Sequence, residues 1–120
     1  MKILLVDDEE ELISTLAERL SFRGIDADWA TNGGEALEKA DARRYDLAVL
    51  DVRMPKIGGL ALKKILAEKC PGMKFIFMTG HGSEDDYKKG VSGAGGAEYY
   101  LVKPVNIETL VEKINKVISE

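Results

Sequence analysis

Four short apolar runs, each followed by polar side chains, constrain the fold of this chain more than any other feature of its sequence. The runs and the residues that follow them are ILLV at 3–6 with Asp7 and Asp8, LAVL at 47–50 with Asp51, FIFM at 75–78 with Thr79, and YYLV at 99–102 with Lys103. Continuous apolar runs of this length are typical of strands buried on both faces of a parallel sheet. Because open α/β sheets bind ligands at the carboxyl ends of their strands, we expect these polar side chains to converge on one site.

Segments with helical periodicity separate the apolar runs and predict an α/β fold. Asn32 and Asn106 stand where they can cap two of the helices, and residues 26–30 alternate polar and apolar, as an edge strand does. We expect one domain over residues 1–120, a doubly wound sheet of five parallel strands with five helices. The fourth helix, between residues 83 and 96, is the weakest because four glycines lie in its second half. The last helix has the clearest apolar repeat: Ile107, Leu110, Val111, Ile114, Val117 and Ile118.

Composition and charge exclude several classes of function. A net charge of −4 disfavours direct binding to nucleic acids, since no basic stripe is present to displace phosphate counterions. Cys70 is the only cysteine, so there is no disulfide framework, and His81 has no second histidine to complete a zinc site. The sequence has no signal peptide and no apolar run long enough to cross a membrane. We therefore expect a cytoplasmic protein without a membrane partner.

Asp7, Asp8 and Asp51 would bring three negative charges together at the predicted sheet edge. Left alone they repel one another, and the pKa of at least one of them should rise. A hard divalent cation removes this repulsion, and Mg2+ prefers such oxygen ligands, with Mn2+ as an alternative ion. The simpler interpretation is that the first two aspartates cap a helix and Asp51 begins a loop. It fits each residue taken separately.

Lys103 and Thr79 favour the binding site over the simpler interpretation. A lysine at a strand end can pair with a carboxylate or a phosphoryl oxygen, and a threonine hydroxyl can donate to an anion. Together the groups suit transfer of a phosphoryl group to a carboxylate. Asp51 would be the in-line nucleophile, the first two aspartates would hold the cation, and Thr79 and Lys103 would donate to the phosphoryl oxygens. Pro104 follows Lys103, and the bond between them is a candidate for the cis form.

Four motifs follow one another along the chain: LLVDD at 4–8, LDVRMP at 50–55 followed by two glycines at 58–59, MTG at 78–80, and YLVKP at 100–104. With these motifs the chain resembles the receiver domain of two-component response regulators over essentially its whole length. The resemblance implies a flavodoxin-like (CheY-like) sheet of order 2-1-3-4-5. It also implies that a sensor histidine kinase or a phosphotransfer protein phosphorylates Asp51.

The resemblance assigns roles to further residues of the site. Asp7 and Asp8, chiefly Asp8, would ligate Mg2+ together with Asp51 and the main-chain carbonyl group of Arg53. The threonine and the lysine at the other strand ends would sense the phosphoryl group. These assignments agree with the chemistry inferred from the residues themselves, and the carbonyl of Arg53 is the one ligand they add.

Tyr100 would change rotamer on phosphorylation, because movement of Thr79 vacates space that a ring on the fifth strand can fill. Tyr99 should face the opposite side of the sheet, since side chains alternate along a strand. A static, solvent-tipped tyrosine at the sheet edge is the alternative for Tyr100. Arg53 and His81 stand at the two positions that flank the attacking water in this family and tune its rates. For His81 an ordinary surface-loop histidine is the favoured interpretation.

The resemblance also places the output surface on helix 4, strand 5 and helix 5. Through this surface the domain would control a downstream partner protein or an output domain, and a phosphorylation-dependent homodimer is a further candidate. The segment from Thr79 to Lys103 is longer than is usual for the family, with the excess near the glycines at 90–96. This excess leaves the geometry of the fourth helix open.

Two other functions fit parts of the pattern. Phosphatases that pass through an aspartyl phosphate generally carry a second acid two residues after the nucleophile. Here that residue is Arg53, so no turnover of an external substrate is expected. A pseudo-receiver, a protein-interaction module of the same fold that is never phosphorylated, typically lacks an acid or the lysine, and this chain keeps them all. Because the chain ends at Glu120 after the fifth predicted helix, we expect either a stand-alone receiver or a receiver cut from a longer regulator.

Overall fold

The computed structural model describes residues 1–80 and 99–120. The elements in chain order are β1 (Lys2–Val6), α1 (Glu10–Ser21), β2 (Asp26–Ala30), α2 (Gly33–Ala42), β3 (Leu47–Asp51), α3 (Gly59–Lys69), β4 (Lys74–Thr79), β5 (Tyr100–Val102) and α4 (Ile107–Ile118). Helix α4 is therefore the fifth of the helices predicted from the sequence. The predicted fourth helix, at 83–96, and its glycine cluster lie outside the described residues.

The strands form one parallel sheet of order β2-β1-β3-β4-β5, which confirms the flavodoxin-like fold and the strand order. In the β3–β4 pair Asp51 lies opposite Met78, and in the β4–β5 pair Thr79 lies opposite Val102. Since all five strands run the same way, their carboxyl ends meet along one edge of the sheet. The register therefore brings the polar residues that follow the apolar runs to that edge.

Strand β2 lies at one edge of the sheet, as its polar alternation predicted. Asp26 is exposed, and Ala27, Asp28 and Trp29 are half-buried. By contrast, every residue of β3 is buried, as is every residue of β1 after Lys2. Continuous apolar runs thus occupy the centre of the sheet, where both faces are covered.

Each face of the sheet packs against two of the described helices. On one face α1 and α4 bury a core that includes Leu16 and Ile114. On the other face α2 and α3 bury a second core that includes Leu62 and Tyr100. Tyr99 packs against the first core, so the two adjacent tyrosines face opposite sides of the sheet, as predicted.

Asparagine side chains begin two of the helices, as predicted. Asn32 Oδ1 accepts the Glu35 N–H at 2.9 Å at the start of α2. Asn106 Oδ1 accepts the N–H groups of Glu108 and Thr109 at 2.8 and 3.2 Å at the start of α4. These bonds satisfy N–H groups that have no partner within the helix. The cap of α4 also fixes the chain shortly after Lys103.

The thiol of Cys70 is half-buried at the carboxyl end of α3 and forms no disulfide. Among residues 1–80 and 99–120, every helix is too short or too polar to cross a lipid bilayer.

Candidate functional site

Four of the predicted site residues stand at the carboxyl ends of neighbouring strands. Asp7 follows β1, Asp51 ends β3, Thr79 ends β4 and Lys103 follows β5. The Lys103 N–H donates to the Thr79 carbonyl oxygen at 2.7 Å, which fixes the chain after β5 beside the end of β4. The peptide bond between Lys103 and Pro104 is cis, as predicted. The sheet thus brings two carboxylates, a hydroxyl and an ammonium group to one edge.

The ammonium group of Lys103 lies among three carboxylates of the described residues. Its Nζ atom is 2.5 Å from Asp7 Oδ2, 3.1 Å from Glu9 Oε1 and 3.4 Å from Asp51 Oδ2. The Lys103 side chain is only 9% exposed and those of Asp7 and Asp51 are buried, whereas the Glu9 side chain is 64% exposed. The contact with Glu9 was not predicted. Its only signal in the sequence is the acidic run at 8–11, where acidic side chains are also favourable because they lie at the positive end of the helix dipole.

Burial controls the electrostatics of this cluster. It raises the pKa of Asp51 to about 6, with a further contribution from the charge of Asp7 and an opposing one from Lys103. The pKa of Asp7 is also raised, chiefly by burial. Burial by itself lowers the pKa of Lys103, but its contacts with Asp7 and Glu9 and the charge of Asp51 leave that pKa above its usual value. The predicted rise in a carboxyl pKa is confirmed, and its largest cause is desolvation rather than mutual repulsion.

The three aspartates fit a divalent cation. Asp7, Asp8 and Asp51 each offer a carboxylate oxygen, and these oxygens lie within 4.8 Å of one another. Opposite oxygen ligands of one Mg2+ ion are about 4.2 Å apart, so small side-chain movements suffice to bring the three carboxylate oxygens within reach of one ion. Asp7 Oδ2 is fully buried and has no hydrogen-bond partner among the described residues, although Lys103 lies beside it. The Arg53 N–H donates to Asp51 Oδ1 at 3.2 Å, which holds the backbone of Arg53 next to the same carboxylate.

Gly59 allows the backbone after β3 to turn closely around Asp51. Its N–H donates to the Val52 carbonyl oxygen at 3.0 Å. A Cβ atom added at Gly59 would overlap the Asp51 carbonyl oxygen and lie 2.9 Å from its carbonyl carbon. The sequence motif contains this glycine, but its packing role was not predicted. The signal is its place in a Gly-Gly pair directly before a helix.

The remaining predicted residues differ in how far the structure describes them. Thr79 is buried, and its Oγ1 donates to the Gly80 carbonyl oxygen at 3.0 Å. Tyr100 is 5% exposed and belongs to the core beneath α2 and α3, so the solvent-tipped alternative is wrong. Arg53 is exposed on the loop after β3. His81 lies outside the described residues.

This arrangement can support chemistry on an anionic group. The Asp51 carboxylate can act as a nucleophile once it is ionised, and the Lys103 ammonium group can compensate the charge of an incoming phosphoryl group. The aspartates can hold a cation that bridges the protein and that group. Together these roles use side chains from the ends of β1, β3 and β5.

The sequence matches a family model described as the response regulator receiver domain over residues 3–115. The alkaline phosphatase synthesis transcriptional regulatory protein PhoP of Bacillus subtilis (strain 168) is 38% identical over 103 residues, covering 86% of this chain and 42% of that protein. The transcriptional regulatory protein CpxR homolog of Haemophilus influenzae is 37% identical over 118 residues, covering 98% of this chain and 50% of that protein. The chain spans half or less of the length of these relatives.

Solved structures show the same architecture. A response regulator receiver domain protein (CheY-like) from Methanospirillum hungatei is similar with a TM-score of 0.85 and 31% identity, over 98% of this chain and 93% of that one. A response regulator protein from Burkholderia pseudomallei is similar with a TM-score of 0.82 and 30% identity, over 98% of this chain and 68% of that one. That second structure contains a phosphorylated aspartic acid, a calcium ion and citrate.

Proposed function

The chain belongs to the response regulator receiver domain family of two-component systems, and we propose that it is switched by phosphorylation of Asp51. The observation that carries the proposal is the position of this carboxylate. It is buried at the carboxyl edge of the sheet, with Lys103 Nζ 3.4 Å from Oδ2 and two further aspartates close enough to share a cation. Such a site offers both a nucleophile and the charges needed to receive a phosphoryl group.

In the proposed reaction an ionised Asp51 oxygen attacks the phosphorus atom of a phosphohistidine on a sensor kinase or phosphotransfer protein. The new O–P bond forms as the P–N bond breaks, and the departing histidine takes up a proton. Lys103 compensates charge on the transferred group, and the Thr79 hydroxyl turns from the Gly80 carbonyl oxygen to donate to a phosphoryl oxygen.

We place a Mg2+ ion, or Mn2+ in its stead, on Asp7, Asp8, Asp51 and the main-chain carbonyl group of Arg53. The burial of the Asp7 carboxylate and the spacing of the three carboxylates support this assignment. When bound, the ion neutralises negative charge on the phosphoryl oxygens. The solved relative with a phosphorylated aspartic acid and a calcium ion is consistent with the pairing of cation and modified carboxylate.

The signal would leave the site through Thr79 and Tyr100. Movement of the threonine opens space at the end of β4, and the buried Tyr100 ring on the neighbouring strand can rotate toward it. The readout surface would include β5, α4 and the segment before β5. Arg53 and His81 are proposed to tune the rates of phosphorylation and dephosphorylation.

The proposed partners follow from family membership. The kinase or phosphotransfer protein supplies the phosphoryl group in the cytoplasm, and a downstream protein, an output domain or a second copy of the chain receives the signal. The named relatives are transcriptional regulatory proteins that are longer than this chain. We propose that residues 1–120 form one receiver domain, without turnover of an external substrate and without direct nucleic-acid binding of its own.

The test is incubation with acetyl phosphate and Mg2+ followed by intact-mass measurement of three proteins. The wild type should gain the mass of one phosphoryl group, and Asp51→Asn should gain none. Asp41→Asn is the matched control, because Asp41 is an exposed aspartate that pairs with Lys69 at 2.9 Å. A wild type that gains nothing, either from acetyl phosphate or from a histidine kinase, would instead be a pseudo-receiver.

A further inference from the structure

Glu9 has an unusual place at the start of α1. It occupies the N-cap position, yet within the described residues its side chain accepts no hydrogen bond from the helix N–H groups. Its Oε1 atom instead lies 3.1 Å from Lys103 Nζ, although 94 residues separate the two in the sequence. The Glu9 N–H donates to Asp7 Oδ1 at 2.9 Å, which ties the backbone of Glu9 to the site. The carboxylate is therefore directed toward the cluster rather than toward its own helix.

The ammonium group of Lys103 is shared among several carboxylates. A lysine ammonium group has three N–H donors, and here three carboxylates surround it. A phosphoryl oxygen on Asp51 must therefore compete with these carboxylates for the ammonium group of Lys103. Asp7 is buried and closest to Lys103, so breaking that pair would leave a buried charge without its countercharge. Glu9 is exposed and can return to water, and exposed ion pairs are weak.

We propose that Glu9 is a positioning residue that holds Lys103 partly away from Asp51 in the unmodified protein and yields it to the phosphoryl group. The inference rests on the proposed role of Asp51 as acceptor. It is supported by the order of distances, since Lys103 Nζ is nearer to Glu9, at 3.1 Å, than to Asp51, at 3.4 Å. Glu9, an exposed residue that is not a metal ligand, would then control how closely the ammonium group of Lys103 pairs with Asp51.

Glu9 would act in opposite directions on the cation and on the phosphoryl group. It favours the cation, because it adds negative charge nearby and keeps Lys103 from neutralising Asp51. It disfavours the phosphoryl group, because it repels the added charge and competes for the same ammonium donor. Loss of the Glu9 charge should therefore weaken cation binding and strengthen binding of a phosphoryl group. Loss of a residue with a merely structural role would not change these two affinities in opposite directions.

The test compares Glu9→Gln with Glu11→Gln in the full chain. Both substitutions remove one exposed negative charge near the start of α1 while keeping the side-chain length. Of these two glutamates, Glu9 is the one that the structure pairs with Lys103. Magnesium affinity is measured by calorimetric titration with MgCl2. Affinity for beryllofluoride, a non-covalent phosphoryl analogue, is then measured at saturating Mg2+. We expect Glu9→Gln to weaken magnesium binding by about threefold to tenfold and to strengthen beryllofluoride binding by about twofold to fivefold.

Glu11→Gln should leave both affinities within about twofold of the wild type, since a single exposed charge is well screened. Equal effects of the two variants would overturn the proposal, as would a parallel loss of both affinities in Glu9→Gln. Phosphorylation of the wild type by acetyl phosphate in the same preparation tests the proposed function separately. If neither acetyl phosphate nor a histidine kinase phosphorylates the wild type, the proposed function of Asp51 is wrong, and the magnesium titrations still decide whether Glu9 acts on the cation site.

Discussion

At the scale of single residues, Asp51 meets opposite demands from folding and from the proposed chemistry. Burial raises its pKa from 3.8 to about 6, whereas attack on phosphorus needs the ionised carboxylate. The folded protein therefore binds this proton more tightly than the unfolded chain does. The stability that Asp51 contributes is complete below the unfolded pKa of 3.8 and is lost as the pH rises through about 6. At neutral pH its charge opposes folding.

Asp51→Asn should consequently stabilise the metal-free protein at neutral pH. We expect the free energy of unfolding to rise by about 1–3 kcal/mol near pH 7.5, and the difference from the wild type to shrink toward about pH 4. Urea unfolding followed by circular dichroism at several pH values measures the effect, with Asp41→Asn as the surface control. An Asp51→Asn variant that is less stable than the wild type at neutral pH would contradict the desolvation argument.

Tyr100 should affect transmission of the signal rather than phosphorylation itself. Its ring is buried beneath α2 and α3, while Tyr99 lies on the other face and serves as the matched control. We expect Tyr100→Ala to accept a phosphoryl group as the wild type does but to lose most of the accompanying change in α4. Amide chemical shifts of α4, recorded with and without beryllofluoride and Mg2+, provide the measurement. Wild-type shifts in Tyr100→Ala would contradict its role as a switch.

The positions of the polar residues that follow the apolar runs were predictable from the sequence, because each position depends only on its own strand. Asp7, Asp51, Thr79 and Lys103 were all placed at the correct edge by that argument. The contact of Glu9 was not predictable, since it depends on where two long side chains meet across residues far apart in the chain. The local sequence pattern identifies which side chains lie at a site, but it does not show which of them form ion pairs with one another.

At the scale of elements, the approach of α3 to the end of β3 positions the acceptor. Gly59 begins α3 and is packed so closely against the Asp51 backbone that any side chain would displace it. By contrast, a Cβ added at Gly34 in α2 would meet only the Asn32 side chain, at 3.3 Å. The two glycines therefore form a natural comparison between a close backbone approach and an ordinary helical position.

We expect Gly59→Ala to lower the free energy of unfolding by about 2–3 kcal/mol, because the backbone of β3 or α3 must move to relieve the overlap. Displacement of Asp51 should also slow its phosphorylation by acetyl phosphate. Gly34→Ala should change neither property appreciably, since its one close neighbour can adjust. Urea denaturation and intact-mass time courses report the two effects. A Gly59→Ala protein with wild-type stability would show that the contact is relieved without strain.

The elements were predicted best where their signals are local. The apolar repeat of α4 and the asparagine caps of α2 and α4 were all confirmed. Strand β3 ends at Asp51, as predicted, and β4 ends at Thr79. Pairing of Asp51 with Met78 on the adjacent strand extends the ladder past the last apolar residue, and such an extension is a tertiary effect.

At the scale of the whole molecule, the parallel sheet was predictable because strands and helices alternate along the chain and each central strand contains a continuous run of four apolar residues. The strand order came from the resemblance to receiver domains rather than from the pattern alone. The division of the interior into two cores follows from that order, since the first and last described helices cover one face and the two middle helices cover the other. The site lies at the carboxyl edge of the sheet that separates these two cores.

Magnesium should therefore stabilise the folded protein as a whole. At a free concentration about ten times its dissociation constant, a ligand specific for the folded state adds about 1.4 kcal/mol, which corresponds to a rise in melting temperature of about 5 °C. Thermal unfolding with MgCl2, against NaCl at equal ionic strength, measures the shift. We expect Asp51→Asn to lose most of it. An equal shift in that variant would place the ion elsewhere.

The ion pair between Asp7 and Lys103 also bears on biosynthesis. It joins the residue after the first strand to the residue after the last, at 2.5 Å. Amino-terminal segments leave the ribosome first, so a nascent chain holds Asp7 and Asp51 well before it holds Lys103. Two carboxylates without their ammonium partner disfavour the buried arrangement, and an incomplete chain cannot form a receptive site. Lys103 is thus the last of the ion-paired site residues to be synthesised, and the charge balance of the site is complete only after it has been added.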